Sequence, residues 1–167
     1  MLPVSIFAND IDKELDVVAE SLEAPFDARI SINQELGLII VSARVAEEKD
    51  SSYYEEIDLV DVDFGDQVEP ASLPEKPTSA TFSHKIYDRS GVLMAAAYVT
   101  VKGWYSELDR WSEISSITAT FEGEHAHYFS YSSSESGNTG TVSIYFNGIY
   151  ADSFRYKIDY YGRITQD

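Results

Sequence analysis

Apolar and polar residues alternate strictly along two stretches of this chain. Ala80, Phe82, His84 and Ile86 interleave with Thr81, Ser83, Lys85 and Tyr87, and Val142, Ile144 and Phe146 interleave with Thr141, Ser143 and Tyr145. A period of two places alternate side chains on opposite faces, the signature of a half-buried β-strand. From Thr78 onward the same reading predicts six strands, at 79–87, 92–105, 112–122, 126–133, 139–147 and 150–159. Asp88-Arg89-Ser90-Gly91 has the composition of a turn. Asn147-Gly148, set between two alternating runs, predicts a tight hairpin because both residues tolerate positive φ, and Gly137-Asn138 predicts another. Short strands at this spacing, with no helical period among them, predict an antiparallel β-sandwich of immunoglobulin-like size. Alternation assigns Phe82, Ile86, Val99, Val101, Phe121, Val142, Ile144, Phe146 and Phe154 to its core.

The first half reads differently. Ile11, Leu15, Val18 and Leu22 fall at spacings of four, three and four, which predicts one amphipathic helix over 10–23, with Asp10 as its N-cap and Ala24-Pro25 as its end. Phe26, Ala28, Ile30 and Ile32 then alternate with polar residues, and Asn33–Gly37 turns the chain into Leu38–Val45, which predicts a β-hairpin. Glu47–Glu56 reads as a polar loop and Ile57–Phe64 as a further strand. Pro70, Pro74 and Pro77 interrupt regular structure, so 70–77 reads as a linker between an acidic segment, 1–77, and a sandwich domain, 78–167. The fold class expected is mainly β, with one helix and a hairpin preceding the sandwich.

Charge narrows the partners. The chain of 167 residues carries a formal net charge of −17, and residues 1–77 hold 19 Asp/Glu against 5 Lys/Arg. Such a surface repels phosphate backbones, so no nucleic acid is expected as a partner, and cations, basic proteins and neutral glycans remain. With no cysteine there is neither a disulfide framework nor a thiolate nucleophile. No run approaches the roughly 18 apolar residues of a membrane span. Leu2–Ala8 is apolar and passes at once into acidic residues, which matches the tail of a secretory signal peptide. A secreted or cell-surface protein is therefore expected, with a first strand of a cytoplasmic protein as the alternative.

Four groups of residues bear on chemistry. Trp104, Tyr105 and Trp111 cluster around an expected strand end and loop, where aromatic faces present large rigid area to a protein or a sugar. His125 and His127 would share a face on a strand, between Glu122 and Glu124, as two ligands of a zinc site lacking its other half. Asp61, Asp63 and Asp66, with Asp58, resemble a calcium loop. Counted from Asp61, however, Gly65, Asp66 and Ser72 stand where an EF-hand needs Asp, Gly and Glu. No nucleophile elbow, phosphate-binding glycine loop or His-Glu-x-x-His motif is present in the sequence, so no catalytic residue, cofactor or metal is assigned and an enzyme is not expected.

In Gly103-Trp104-Tyr105-Ser106-Glu107, Phe121-Glu122-Gly123 and Tyr145-Phe146-Asn147-Gly148 the second half resembles small immunoglobulin-like β-sandwich modules of exported Gram-positive surface proteins. The resemblance implies architecture and a surface location. It carries over no catalytic residue, and the paired cysteines of antibody-type domains are missing. The function expected is a non-catalytic protein that binds a protein or glycan through Trp104, Tyr105 and Trp111. The alternatives are an acidic intracellular partner-binding protein, such as an immunity protein or nucleic-acid mimic, and a hydrolase built on a carboxylate pair.

Overall fold

The computed structural model describes residues 14–46 and 75–167. Nine strands follow: β1 (Arg29–Asn33), β2 (Leu38–Arg44), β3 (Lys76–Tyr87), β4 (Leu93–Ser106), β5 (Trp111–Glu122), β6 (Phe129–Ser136), β7 (Thr139–Phe146), β8 (Ile149–Ile158) and β9 (Ile164–Gln166). They form two antiparallel sheets, in the order β1-β2-β3-β4-β5 and β6-β7-β8-β9. The fold is thus mainly β, as the alternation required.

Hairpin chemistry explains the connectivity. Asn147 and Gly148 both adopt positive φ, 49° and 77°, and Gly137 does so at 58°, so the β7–β8 and β6–β7 links are two-residue turns. Turns this short force each strand against the one before it. Among the described residues every strand pairs with its sequence neighbour, and the chain changes sheet once, after β5. The sandwich is therefore two successive meanders. An immunoglobulin arrangement would distribute its strands by Greek-key crossovers.

One core lies between the sheets. Phe82, Ile86, Val99, Val101, Val142, Ile144 and Phe154 are buried in it as alternation predicts, with Phe121 and Phe146 packed against it half-buried. Leu38 and Ile40 of β2 belong to the same core, and β2 pairs with β3 from Ile39–Tyr87 to Arg44–Phe82. The hairpin of the acidic half is thereby part of the five-stranded sheet.

The run Leu38-Ile39-Ile40-Val41 is buried throughout because β2 is covered on both faces. Residues 14–21 are helical and lay Leu15 and Ala19 over Ile39, with Val18, Leu22, Ile32 and Tyr87 around them. Ile11, the first residue of the predicted stripe, and the expected strand 57–64 lie outside the described residues. No helix among the described residues is long and apolar enough to cross a membrane.

Scattered hydrogen bonds, most of them from side chains, join the two seams between the sheets. On one side Ser112 Oγ donates to Ile158 O at 2.9 Å, Ile114 N–H to Gly137 O at 2.8 Å, and Ile117 N–H to the Glu135 carboxylate at 3.2 Å. On the other, Ser31 bonds Asp152, Asn33 Nδ2 donates to Ala151 O at 2.7 Å, and an Arg44 guanidinium N–H donates to Ile164 O at 3.2 Å. Individual bonds replace a continuous ladder, so the sheets remain two.

Candidate functional site: an aromatic end and a buried relay

The β4–β5 and β8–β9 turns bring the aromatic residues to one end of the sandwich. Ser106 Oγ bonds the Asp109 carboxylate at 3.0 Å and accepts its N–H at 3.2 Å, which fixes the first turn and leaves Leu108 65% exposed at its tip. In the second turn the Asp159 carboxylate accepts the N–H groups of Tyr161 and Arg163 at 3.0 and 2.9 Å. Tyr160 and Tyr161 stack obliquely there, ring centroids 4.2 Å apart, with Tyr161 62% exposed. Gly162 sits so close to the Tyr105 ring that a Cβ would enter it, and Thr78 Oγ1 donates to Gly162 O at 2.7 Å. Tyr105 therefore joins the two turns.

Strand parity separates the residues singled out in the sequence. Trp104 and Tyr105 are consecutive on β4 and point to opposite faces. Trp104, 42% exposed, lies on the outer face of the five-stranded sheet, in a cleft of about 370 Å³ beside Pro77, Ser79, Lys102 and Ser115. Half-buried Trp111 lines a different cleft of about 360 Å³, with Asn138, Lys157, Asp159 and Tyr160. Trp111 is thus brought to Tyr160, Tyr105 to Gly162, and Trp104 to neither. The exposed aromatics of the β8–β9 turn were missed because two adjacent tyrosines in a polar stretch carry no period.

The histidine pair needs a correction. His125 and His127 do not share a strand face, since Ala126–Tyr128 is a 3₁₀ turn, His125 caps it, and β6 begins only at Phe129. Gly123, at φ 118° against the Ala95 backbone, lets the chain turn there. Both imidazoles lie against Tyr128, with centroids 6.0 and 4.0 Å away. Among the described residues no three His, Cys, Asp or Glu side chains converge as metal ligands. Asp58, Asp61, Asp63 and Asp66 lie outside the described residues.

The third histidine is where polarity enters the core. His84 is fully buried on the apolar face of β3, its ring stacked on Phe154 at 4.0 Å. Its Nδ1 lies 2.7 Å from Ser42 Oγ and its Nε2 lies 2.7 Å from the Tyr156 hydroxyl, so one ring nitrogen donates and the other accepts. Ser42 on β2 and Tyr156 on β8 are buried as well, and the relay crosses from one sheet to the other.

A serine–histidine contact of 2.7 Å has the spacing of a nucleophile and its base. The electrostatics are those of a structural link. Desolvation lowers His84 to about 3, which leaves it a poor proton acceptor at neutral pH, and burial raises the Tyr156 phenol well above its usual range. The third member is a neutral phenol, with no carboxylate to stabilise an imidazolium. The alternation Ala80-Phe82-His84-Ile86 did carry a signal, a lone histidine on an apolar face. Its partners, 42 and 72 residues away, left none.

Comparison with protein-family models, with curated proteins and with solved structures returns no match.

Proposed function

We propose that the protein is a non-catalytic binding module of the cell surface that holds a protein or glycan through its aromatic end. The observation that carries this reading is the exposure of Trp104, Leu108 and Tyr161 on or beside two turns tied down by Ser106 and Asp159. Rigid aromatic side chains bury large area on contact and lose little rotamer entropy, whereas exposed carboxylates gain little once salt screens them. The acidic character then serves solubility and steering. The location rests on the apolar stretch Leu2–Ala8 and its acidic sequel.

Labelled protein added to intact cells of the source organism, and to cells stripped with protease or with glycosidases, tests the reading and separates the two partner classes. Trp104→Ala and Trp111→Ala should each weaken binding more than Asp61→Asn and Asp63→Asn together. Normal binding by both tryptophan variants, with binding lost between low and moderate salt, would replace this reading by that of an acidic mimic engaging a basic partner.

A further inference from the structure

Strand parity places Trp104 on a face whose other positions share one chemistry. Pro77 and Trp104 are paired at the end of β3 and β4, and the next outward row across β3, β4 and β5 is Ser79, Lys102 and Ser116. Beyond it lie Thr81, Thr100 and Thr118, then Ser83, Tyr98 and Thr120. Eight of these nine positions carry a hydroxyl, and the ninth is Lys102. The chain has 29 Asp and Glu in 167 residues, yet none stands in these three rows.

The track starts at a cleft. Lys102 pairs with Ser116 and Gly103 with Ile114, so Ser115 is an extra residue in β5, and its hydroxyl donates to Lys102 O at 3.2 Å. A bulge of this kind bends its strand and re-aims a side chain. Ser115 forms one wall of the cleft of about 370 Å³ that Trp104 lines. Tyr98 stands six residues from Trp104 on the same strand and the same face, half-buried. At a rise of about 3.3 Å per residue the two aromatic positions are about 20 Å apart, with the hydroxyl rows between and beside them. The Thr81 and Thr100 hydroxyls bond each other at 3.0 Å, which holds the middle row in place.

Composition decides the occupant. Protein-binding surfaces gather aromatics, methionine and arginine at their centre and are poor in serine, whereas this face offers hydroxyls and one exposed ring, that of Trp104. An acidic polymer would find a single cation in the rows and would meet the field of a chain at −17. A ligand that is uncharged, rich in hydroxyls and apolar on its ring faces matches both parts of the track. Such a ring stacks on the indole, and its hydroxyls exchange hydrogen bonds with rows that both donate and accept. We propose that the outer face of the five-stranded sheet binds a neutral, linear oligosaccharide, with one sugar stacked on Trp104 in its cleft and the following ones laid over the hydroxyl rows as far as Tyr98. This assignment rests on the reading of the chain as a surface binding module and selects glycan over protein as its partner.

Calorimetric titration of the full chain with cellohexaose, laminarihexaose, maltohexaose, xylohexaose, mannohexaose and N-acetylchitohexaose tests this, beside the corresponding disaccharides and polygalacturonate. At least one hexasaccharide should bind saturably, equally at low and moderate salt, and at least about tenfold more tightly than its disaccharide, which is too short to cover the track. Trp104→Ala changes an exposed side chain, and Thr118→Val with Thr120→Val keeps the β-branched shape at two exposed positions, so both proteins should fold. Each should weaken binding about tenfold, while Tyr150→Ala, at the far end of the other sheet, leaves it unchanged. The proposal is overturned if no hexasaccharide binds, if the disaccharides bind as tightly, if polygalacturonate binds more tightly than every neutral sugar, or if the Thr118→Val, Thr120→Val protein binds like the wild type. Attachment to cells without binding to any hexasaccharide would overturn this proposal and leave the surface-module reading standing, and binding to a hexasaccharide without attachment to cells would do the reverse.

Discussion

Replacing His84 by leucine tests whether the buried relay is a cross-sheet link or an incidental polar contact. The substitution keeps an apolar side chain of moderate size at the site but leaves the Ser42 and Tyr156 hydroxyls without their shared partner in the core. A buried group deprived of its hydrogen bond costs about 1–3 kcal/mol, so the two together predict a loss of about 2–6 kcal/mol. Against a total stability of roughly 5–15 kcal/mol, that loss moves the unfolding midpoint a long way. The triple variant Ser42→Ala, His84→Leu, Tyr156→Phe removes every polar member and should recover most of the loss.

Acid adds an independent readout. Because the folded-state value of His84 is lowered from 6.5 to about 3, the unfolded chain binds a proton between those values that the native state does not. Stability due to this group is intact above pH 6.5 and falls as the pH drops toward about 3. At about 1.4 kcal/mol per pH unit, the wild type should lose about 3 kcal/mol by pH ~4 that the triple variant keeps. Urea unfolding followed by tryptophan fluorescence and circular dichroism, at neutral pH and then stepwise into acid, measures both effects. A His84→Leu protein as stable as the wild type, or a triple variant with an unchanged acid limb, would refute the reasoning.

Two glycines separate backbone strain from steric conflict. Gly148→Ala, at φ 77° with open space around the added Cβ, should cost only about 1–2 kcal/mol, the penalty of a left-handed residue. Gly103→Ala drives its Cβ into the Glu113 carbonyl oxygen and the Ile158 side chain beside the β4–β5 bulge, so thermal melts should show the larger loss, about 3 kcal/mol. Calcium and zinc titrations after chelator treatment should reveal no stoichiometric site tighter than micromolar, because among the described residues His125 and His127 gather no third ligand and the Asp61–Asp66 spacing fails the calcium-loop pattern.

Local sequence determined much of this protein. Alternation along β3 and β7 fixed which side chains face inward, and Asn147-Gly148 and Gly137-Asn138 fixed the two tightest hairpins, because period and positive φ are properties of a few adjacent residues. Tertiary structure decided the rest. Strand β6 was expected at 126–133 and lies at Phe129–Ser136, since its serine-rich run has hardly any apolar period and pairing with β7 sets its place. β9 is too short to show a pattern and exists by pairing with Tyr156–Ile158.

The sites divide in the same way. Sequence singled out Trp104, Tyr105 and Trp111, but strand parity and the position of the β8–β9 turn decided which cleft each one lines. Ser42, His84 and Tyr156 come from three strands in two sheets. Such groups leave no local trace. A hydrogen bond depends on separation in space, and only the packing of one sheet on the other sets that distance.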